Sequence, residues 1–381
     1  MNVTINNKLS KNLNVLIAEG GSHYKILEQI YHLLTPHCNL TFYLTDTKSY
    51  RWQELFPSSE KTRIITCHCK GIFFFAKLLA LGWRYDVICI TTGPDGDHWT
   101  ELIRIMCFYM CCLVYGKKTI LAIRNTYPYM NFTPGLFARL RSKAIRFLKR
   151  FTFETGTLRD EFAKTSAAKG AFLGVSYDRY TDVKPSVAHG LEYGPGDLKI
   201  KIGLLGTVSE ERRDYGILCD ALEYLSAEQR SRLGFVTLGA CTGGANHKVV
   251  KSLSRLVEVD CREGTLSELE FHQRGRSCAL LISPLDKKKP YGTLTGSGSF
   301  GDVMYLRKKL ILPSFADPQR EFEEVCLYYS NASELSRILA EVELHLSIQT
   351  PDSFYERFTT QRVYESLVRD LRIAKMCAEK G

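Results

Sequence analysis

The sequence has no apolar run long enough to cross a bilayer. Its two most hydrophobic stretches, Ile72 to Leu81 and Ile105 to Tyr115, fall well short of the roughly 20 residues that a spanning helix needs. The opening MNVTINNKLSKNLN carries no apolar core of a secretory signal. Low-complexity tracts and short-period repeats are absent. The thirteen cysteines are odd in number and scattered, which speaks against a secreted disulfide scaffold and makes a reducing cytoplasm the expected compartment. Cys67-His68-Cys69 resembles a piece of a metal site, but no second ligand pair stands at zinc-finger spacing, so buried or edge cysteines and no metal are expected. No aromatic-plus-basic recognition motif accompanies the basic residues, which weighs against a nucleic-acid partner.

What is present is ordinary globular material. With 381 residues, 45% hydrophobic and 24% charged, the chain exceeds what one core usually serves, so two domains are expected. The formal charge of +10 calls for an acidic partner: nucleic acid, anionic lipid or a phosphorylated small molecule.

Strand and helix patterns alternate from the start. Leu13 to Ala18 is a continuous apolar run that ends in Glu19-Gly20-Gly21-Ser22 and leads into a helical pattern, the signature of a parallel βα unit. Similar runs recur at 40–45, 63–67, 86–92 and 119–125. Periodicity then disappears, and Pro185, Gly190, Gly194, Pro195 and Gly196 accumulate, which is linker composition. A second series follows at 201–206, 234–239, 256–260, 278–283 and 309–313. The expected fold is α/β, with two Rossmann-like doubly wound domains. Their expected bounds are 1–185 and 199–350, with a linker at 186–198 and a helical segment at 351–381 that reaches back over the first domain.

Two segments of the second half carry chemistry. Strand KIGLLG ends in Gly206-Thr207, followed by Arg212 and Arg213; a glycine there opens backbone N–H groups to a phosphate, and arginines can take its oxygens bidentately. Between Ser283 and Pro313, a loop with Tyr291, Gly292, Thr295, Gly296, Ser297, Gly298 and Ser299 runs into a helix that carries Asp302 near its start. Such a loop is an anion site by geometry. A carboxylate there suits a ribose hydroxyl, or simply caps the helix.

Together these residues resemble the GT-B glycosyltransferases, in particular the group related to glycogen and sucrose synthases. Pro290-Tyr291-Gly292 matches that group's Pro-Phe-Gly, Asp302 falls where its ribose-binding glutamate stands, and GLLGTVSEERRDYGILCDAL and GTLSELEFHQRGRSCALLISP follow its ordered series. The resemblance implies two domains facing a cleft and a nucleotide-sugar donor held by the second. Its contacts would be Gly206, Thr207, Arg212, Arg213, Gly239, Gly264, Thr265, Tyr291, Gly292, Thr295, Gly296, Ser297, Gly298, Ser299 and Asp302. No cofactor or metal is implied, the nucleotide sugar being a substrate. Leu294 stands where the group has the first of two glutamates, which leaves inversion or retention open.

On the first domain, strand-end loops are the acceptor-side candidates: Glu19, Gly20 and Gly21, then Arg124 and Asn125. A general base is sought among Asp97, His98 and His23. Gly135 to Phe151 reads as one amphipathic helix. One face carries Leu136, Leu140, Ala144, Phe147, Leu148 and Phe151; Arg139, Arg141, Lys143, Arg146, Lys149 and Arg150 occupy the rest. Such a helix either lies on an anionic membrane or packs on the sheet with a solvated basic back. The expected activity is metal-independent sugar transfer to a glycan or lipid-linked glycan of a bacterial surface polysaccharide, at the inner face of the cell membrane. The alternatives are a sugar-nucleotide epimerase of the same fold and a basic nucleic-acid-binding protein.

Overall fold

A computed structural model describes residues 13–20, 24–45, 61–67, 72–91, 93–94, 100–123, 125–126, 129, 135–165, 168–175, 199–244, 247–289 and 291–379. Contacts divide the chain into two units. The first comprises Met1–Asp178, Leu294–Gly296 and Thr360–Gly381; the second comprises Arg179–Thr293 and Ser297–Thr359. The linker expected at 186–198 lies outside the described residues.

The first unit is built on seven parallel strands: β1 (Asn14–Glu19), β2 (Asn39–Thr45), β3 (Thr62–Cys67), β4 (Val87–Ile90), β5 (Thr119–Ile123), β6 (Arg150–Phe153) and β7 (Phe172–Val175). Their order across the sheet is β3-β2-β1-β4-β5-β6-β7. Helices α1 (Tyr24–Leu34), α2 (Ile72–Leu81), α3 (Thr100–Tyr115), α4 (Leu136–Ile145) and α5 (Gly156–Ala163) connect them. Val15 to Ala18 of β1 are fully buried, as a parallel strand covered on both faces requires. Phe75 meets Phe108 edge-on at 5.1 Å and Phe151 packs on Phe162 at 4.8 Å, so aromatic contacts tie α2, α3, β6 and α5 into one core. Cys67 closes β3 in the buried interior; His68 and Cys69 lie outside the described residues.

The segment from Gly135 to Phe151 is not the single basic helix expected from its pattern. Helix α4 ends at Ile145, and β6 begins at Arg150. Arg141 is 1% and Arg150 2% exposed, so neither belongs to a solvated face. Arg150 donates from Nη1 to the Lys117 carbonyl at 3.1 Å. Buried arginines copy the sequence pattern of an exposed basic stripe, and that hid a short buried strand.

The second unit has six parallel strands: β8 (Ile200–Leu204), β9 (Leu233–Thr237), β10 (Glu258–Asp260), β11 (Leu280–Ile282), β12 (Leu310–Pro313) and β13 (Cys326–Tyr329), in the order β10-β9-β8-β11-β12-β13. Its helices are α6 (Tyr215–Glu223), α7 (Ala227–Ser231), α8 (Lys248–Ser254), α9 (Glu268–Ser277), α10 (Ser299–Leu306), α11 (Ala332–Ala340), α12 (Val342–Ser347) and α13 (Asp352–Glu356). Most start as their sequences dictate: Asp214 caps α6, and Ser267 with Glu270 forms a capping box on α9, arrangements that satisfy otherwise unpaired N–H groups. Helix α10 is different, because Gly298 at its N-cap offers no side-chain acceptor.

The last helix, α14 (Thr360–Glu379), returns to the first unit, where it packs against α1, β4, β5 and β7. Both sheets are therefore α/β and doubly wound, as the alternation of patterns predicts.

Candidate functional site

In each sheet the strand order reverses once, beside β1 and β4 in the first and beside β8 and β11 in the second. Ligands of open α/β sheets bind at the carboxyl ends of the strands at such a switch point. In the second unit that place is occupied by Gly206 after β8 and Ser283 after β11, joined where Leu205 N donates to the Ile282 carbonyl at 2.9 Å.

Gly206 has φ +76, and a β-carbon on it would overlap the guanidinium of Arg213. Only glycine combines this backbone with that approach. A β-carbon on Gly239 would in turn overlap the Gly206 carbonyl, so the ends of β8 and β9 meet backbone to backbone. The segment 212–214 runs antiparallel to 284–286: Asp214 N donates to the Pro284 carbonyl at 2.8 Å and Asp286 N to the Arg212 carbonyl at 3.2 Å. Extended pairing alternates side chains between faces. Arg212 consequently points to solvent, and Arg213 is buried under the turn.

The Nε of Arg213 is buried without a hydrogen-bond partner. Burial lowers the pKa of its guanidinium, while Tyr215, Tyr291 and Asp302, in electrostatic reach, act the other way. An arginine stays protonated under such shifts. The result is a desolvated cation beside an open glycine turn at the switch point, a setting in which a bound anion compensates a buried charge.

The glycine-rich loop is anchored by hydroxyls. Ser297 Oγ donates to Ser299 Oγ at 3.1 Å, and Ser299 Oγ donates to Ser283 Oγ at 2.8 Å. Gly292 has φ +79, and a β-carbon there would overlap the Ala316 carbonyl. Asp302 lies in the first turn of α10 and is not its cap; its N–H donates to the Gly298 carbonyl at 3.0 Å. Gly264, with φ +86, exchanges two backbone bonds with Cys241, at 2.8 and 3.0 Å, which leaves Thr265 exposed just beyond them. Thr207 is likewise exposed beside Gly206.

Leu294–Gly296 cluster with the first unit. There Thr126 donates from N and Oγ1 to the Leu294 carbonyl at 2.7 and 2.9 Å, and Thr295 Oγ1 donates to Asn125 Oδ1 at 3.2 Å. Thr295 and Gly296, expected among the donor contacts, thus group with Asn125 of the first unit. At the end of β1, Glu19 is fully buried and accepts from Thr91 Oγ1. Gly20 follows, facing Arg104 and Phe74. Gly21, His23, Asp97, His98 and Arg124 lie outside the described residues. So does Asp95-Gly96-Asp97, an Asp-x-Asp spacing that the expectation of metal independence left out of account. Sequence reasoning used Ser283 only as the polar end of an apolar strand, where it now accepts from Ser299, and passed over Tyr215, which lies in electrostatic reach of Arg213.

No protein-family model and no curated protein matches the sequence. Solved structures do. HepE of Anabaena in complex with UDP superposes over 95% of this chain and 99% of its own, with TM-score 0.62 and 15% identity. WaaG, a glycosyltransferase involved in lipopolysaccharide biosynthesis, covers 96% and 99% with TM-score 0.56 and 10% identity. A putative UDP-N-acetylglucosamine 2-epimerase from Listeria monocytogenes covers 95% and 94% with TM-score 0.52 and 12% identity. At these identities the likeness speaks for architecture alone: with its two parallel α/β sheets, the chain has a GT-B glycosyltransferase-like fold.

Proposed function

We propose that the protein is a glycosyltransferase that moves a sugar from a nucleotide-sugar donor to a glycan acceptor. The observation that carries this reading is the buried Arg213 guanidinium beneath the Gly206 turn, at the carboxyl end of β8. In the transfer, an acceptor oxygen bonds to the anomeric carbon while the bond to the β-phosphate breaks, and negative charge develops on the leaving nucleoside diphosphate. A preorganised, desolvated arginine stabilises that charge more than a solvated one can. Arg212, on the solvent side, contributes at longer range. Asp302 takes a ribose hydroxyl, and the Ser297, Ser299 and Ser283 hydroxyls hold the loop in place. HepE and WaaG support this reading through what they bind and do.

On the first unit, Asp97, His98 or His23 takes the acceptor's proton, and Gly20, Gly21, Arg124 and Asn125 frame the acceptor; Glu19, expected among them, is fully buried and holds Thr91 instead. The acceptor class is a lipid-linked bacterial surface polysaccharide, met at the inner face of the membrane. The Listeria protein favours one competing reading, a 2-epimerase on the same fold. Incubation with UDP-sugars separates the two. A transferase releases UDP in proportion to added acceptor; an epimerase interconverts two UDP-sugars with no acceptor at all. If neither UDP nor any nucleotide sugar raises the melting temperature, the nucleotide-sugar reading fails.

A further inference from the structure

Helix α3 lies between α2 and α4. Its inner side is conventional: Ile105, Phe108, Cys111 and Cys112 are buried, Cys111 Sγ donates to the Phe75 carbonyl at 3.2 Å, and Tyr115 OH to the Leu79 carbonyl at 2.6 Å. Its outer side is not. Ile103, Met106, Met110 and Leu113 are 53%, 46%, 40% and 47% exposed. They stand three, four and three residues apart, so they form a single stripe along the helix. A helix packed on a sheet in water carries polar residues on that stripe. Flanking helices extend the apolar surface, with Phe73 of α2 and Trp83 just beyond it more than 60% exposed.

The rim has one sign of charge. Lys77, Lys117, Arg139, Lys143 and Arg146 are exposed around the stripe. Across residues 72–84, 100–117 and 136–149 the only carboxylate is Glu101, which pairs with Arg104 at 3.0 Å. An apolar centre with a basic border fits an anionic lipid surface, where side chains enter the acyl boundary and cations meet phosphates. A second copy of the chain fits less well, because a two-fold contact through this patch would set basic rim against basic rim.

We propose that the outer face of α3, with the adjoining faces of α2 and α4, docks the protein on anionic phospholipid. This deepens the function proposed above, from which the bacterial membrane is taken, and it moves the centre of contact from the basic α4 to the apolar α3. Trp83, stacked with Arg84 at 5.1 Å, sits at the headgroup level, where such rings concentrate.

The test is co-sedimentation of the full chain with phosphatidylglycerol–phosphatidylcholine vesicles and with pure phosphatidylcholine. Wild type is expected in the pellet with the former only. Met106→Glu with Met110→Glu, and separately Lys143→Glu with Arg146→Glu, should each weaken binding about tenfold or more, with unchanged circular dichroism. About 1 M salt, which shortens the screening length to about 3 Å, should weaken the wild type further. Recovery of the apolar variant equal to wild type would overturn the proposal, as would a supernatant that retains the wild type. A concentration-dependent dimer abolished by Met106→Glu would overturn it in favour of self-association. UDP-induced stabilisation, read on the same variants, is independent: its absence sinks the nucleotide-sugar reading and leaves the docking surface standing.

Discussion

The guanidinium of Arg213 fills the space that a β-carbon on Gly206 would need. Turn and cation are therefore one unit. Gly206→Ala should displace Arg213 and strain a backbone at φ +76, costing about 1 to 2 kcal/mol. The expected outcome in a thermal-shift titration is a lower melting temperature together with lost stabilisation by UDP. Full UDP stabilisation in this variant would separate the turn from nucleotide binding.

Arg213 and Arg212 should differ sharply. Arg213→Met removes a buried cation whose Nε has no partner, so the free protein should melt at the same temperature or higher, as apolar replacement of buried charge often allows. Its UDP affinity should fall about ten- to hundredfold, the worth of a charge-assisted bond of about 1.5 to 3 kcal/mol. Arg212→Ala, at an exposed position, should cost much less. Calorimetric titration of both variants with UDP gives the comparison, and equal losses would remove the special role of the buried arginine.

For Asp302, the ribose assignment has its own signature. Asp302→Asn should weaken UDP by a similar factor and should weaken a nucleotide without ribose hydroxyls hardly at all. Equal losses for both nucleotides would mean that Asp302 acts through the field it exerts on Arg213.

Metal dependence decides between two charge-stabilising devices. If Arg213 carries the leaving-group charge, transfer should survive EDTA. Should activity instead require Mg²⁺ or Mn²⁺, Asp95-Gly96-Asp97 becomes the first pair to replace by asparagine.

Stability should depend on one carboxyl of the first unit. Asp370 is 1% exposed, both its oxygens lack hydrogen bonds, and burial raises its pKa to about 7. Unfolding frees it to ionise near its ordinary 3.8. Its contribution is therefore fully present below about pH 4, falls as the pH rises towards 7, and is lost above that. A tenfold change in proton affinity corresponds to about 1.4 kcal/mol, so the loss amounts to a few kcal/mol. Asp370→Asn should flatten the melting temperature between pH 5 and 8 and raise it at pH 8; an unchanged profile would mean that the carboxyl is solvated in the folded protein.

The strands that sequence reading locates best are the central ones. Val15 to Ala18 and Leu280 to Ile282 are buried on both faces, so they read as continuous apolar runs. Strand β6 escaped because Arg150, buried among apolar neighbours, looks like a solvent residue; β13, four residues long at the sheet edge, is too short to show a period. In the site, the Gly206 turn and the serine-glycine loop were legible because glycine and small hydroxyl residues have few other uses there. Which of Arg212 and Arg213 faces inward was not legible, since that follows from the pairing of 212–214 with 284–286, a contact about seventy residues away in sequence.

Helix α14 closes the first unit from the far end of the chain. Val368, Leu371 and Ala374 are buried in it, against strands β4, β5 and β7 that precede them by some two hundred residues or more. A ribosome that has released residues 1–178 has therefore made a sheet with part of its cover missing. The second unit, contained almost wholly within the intervening stretch, can complete itself before the first one does. The order of synthesis thus differs from the order in which the units can be completed, and the first unit stays part-covered until α14 has been made.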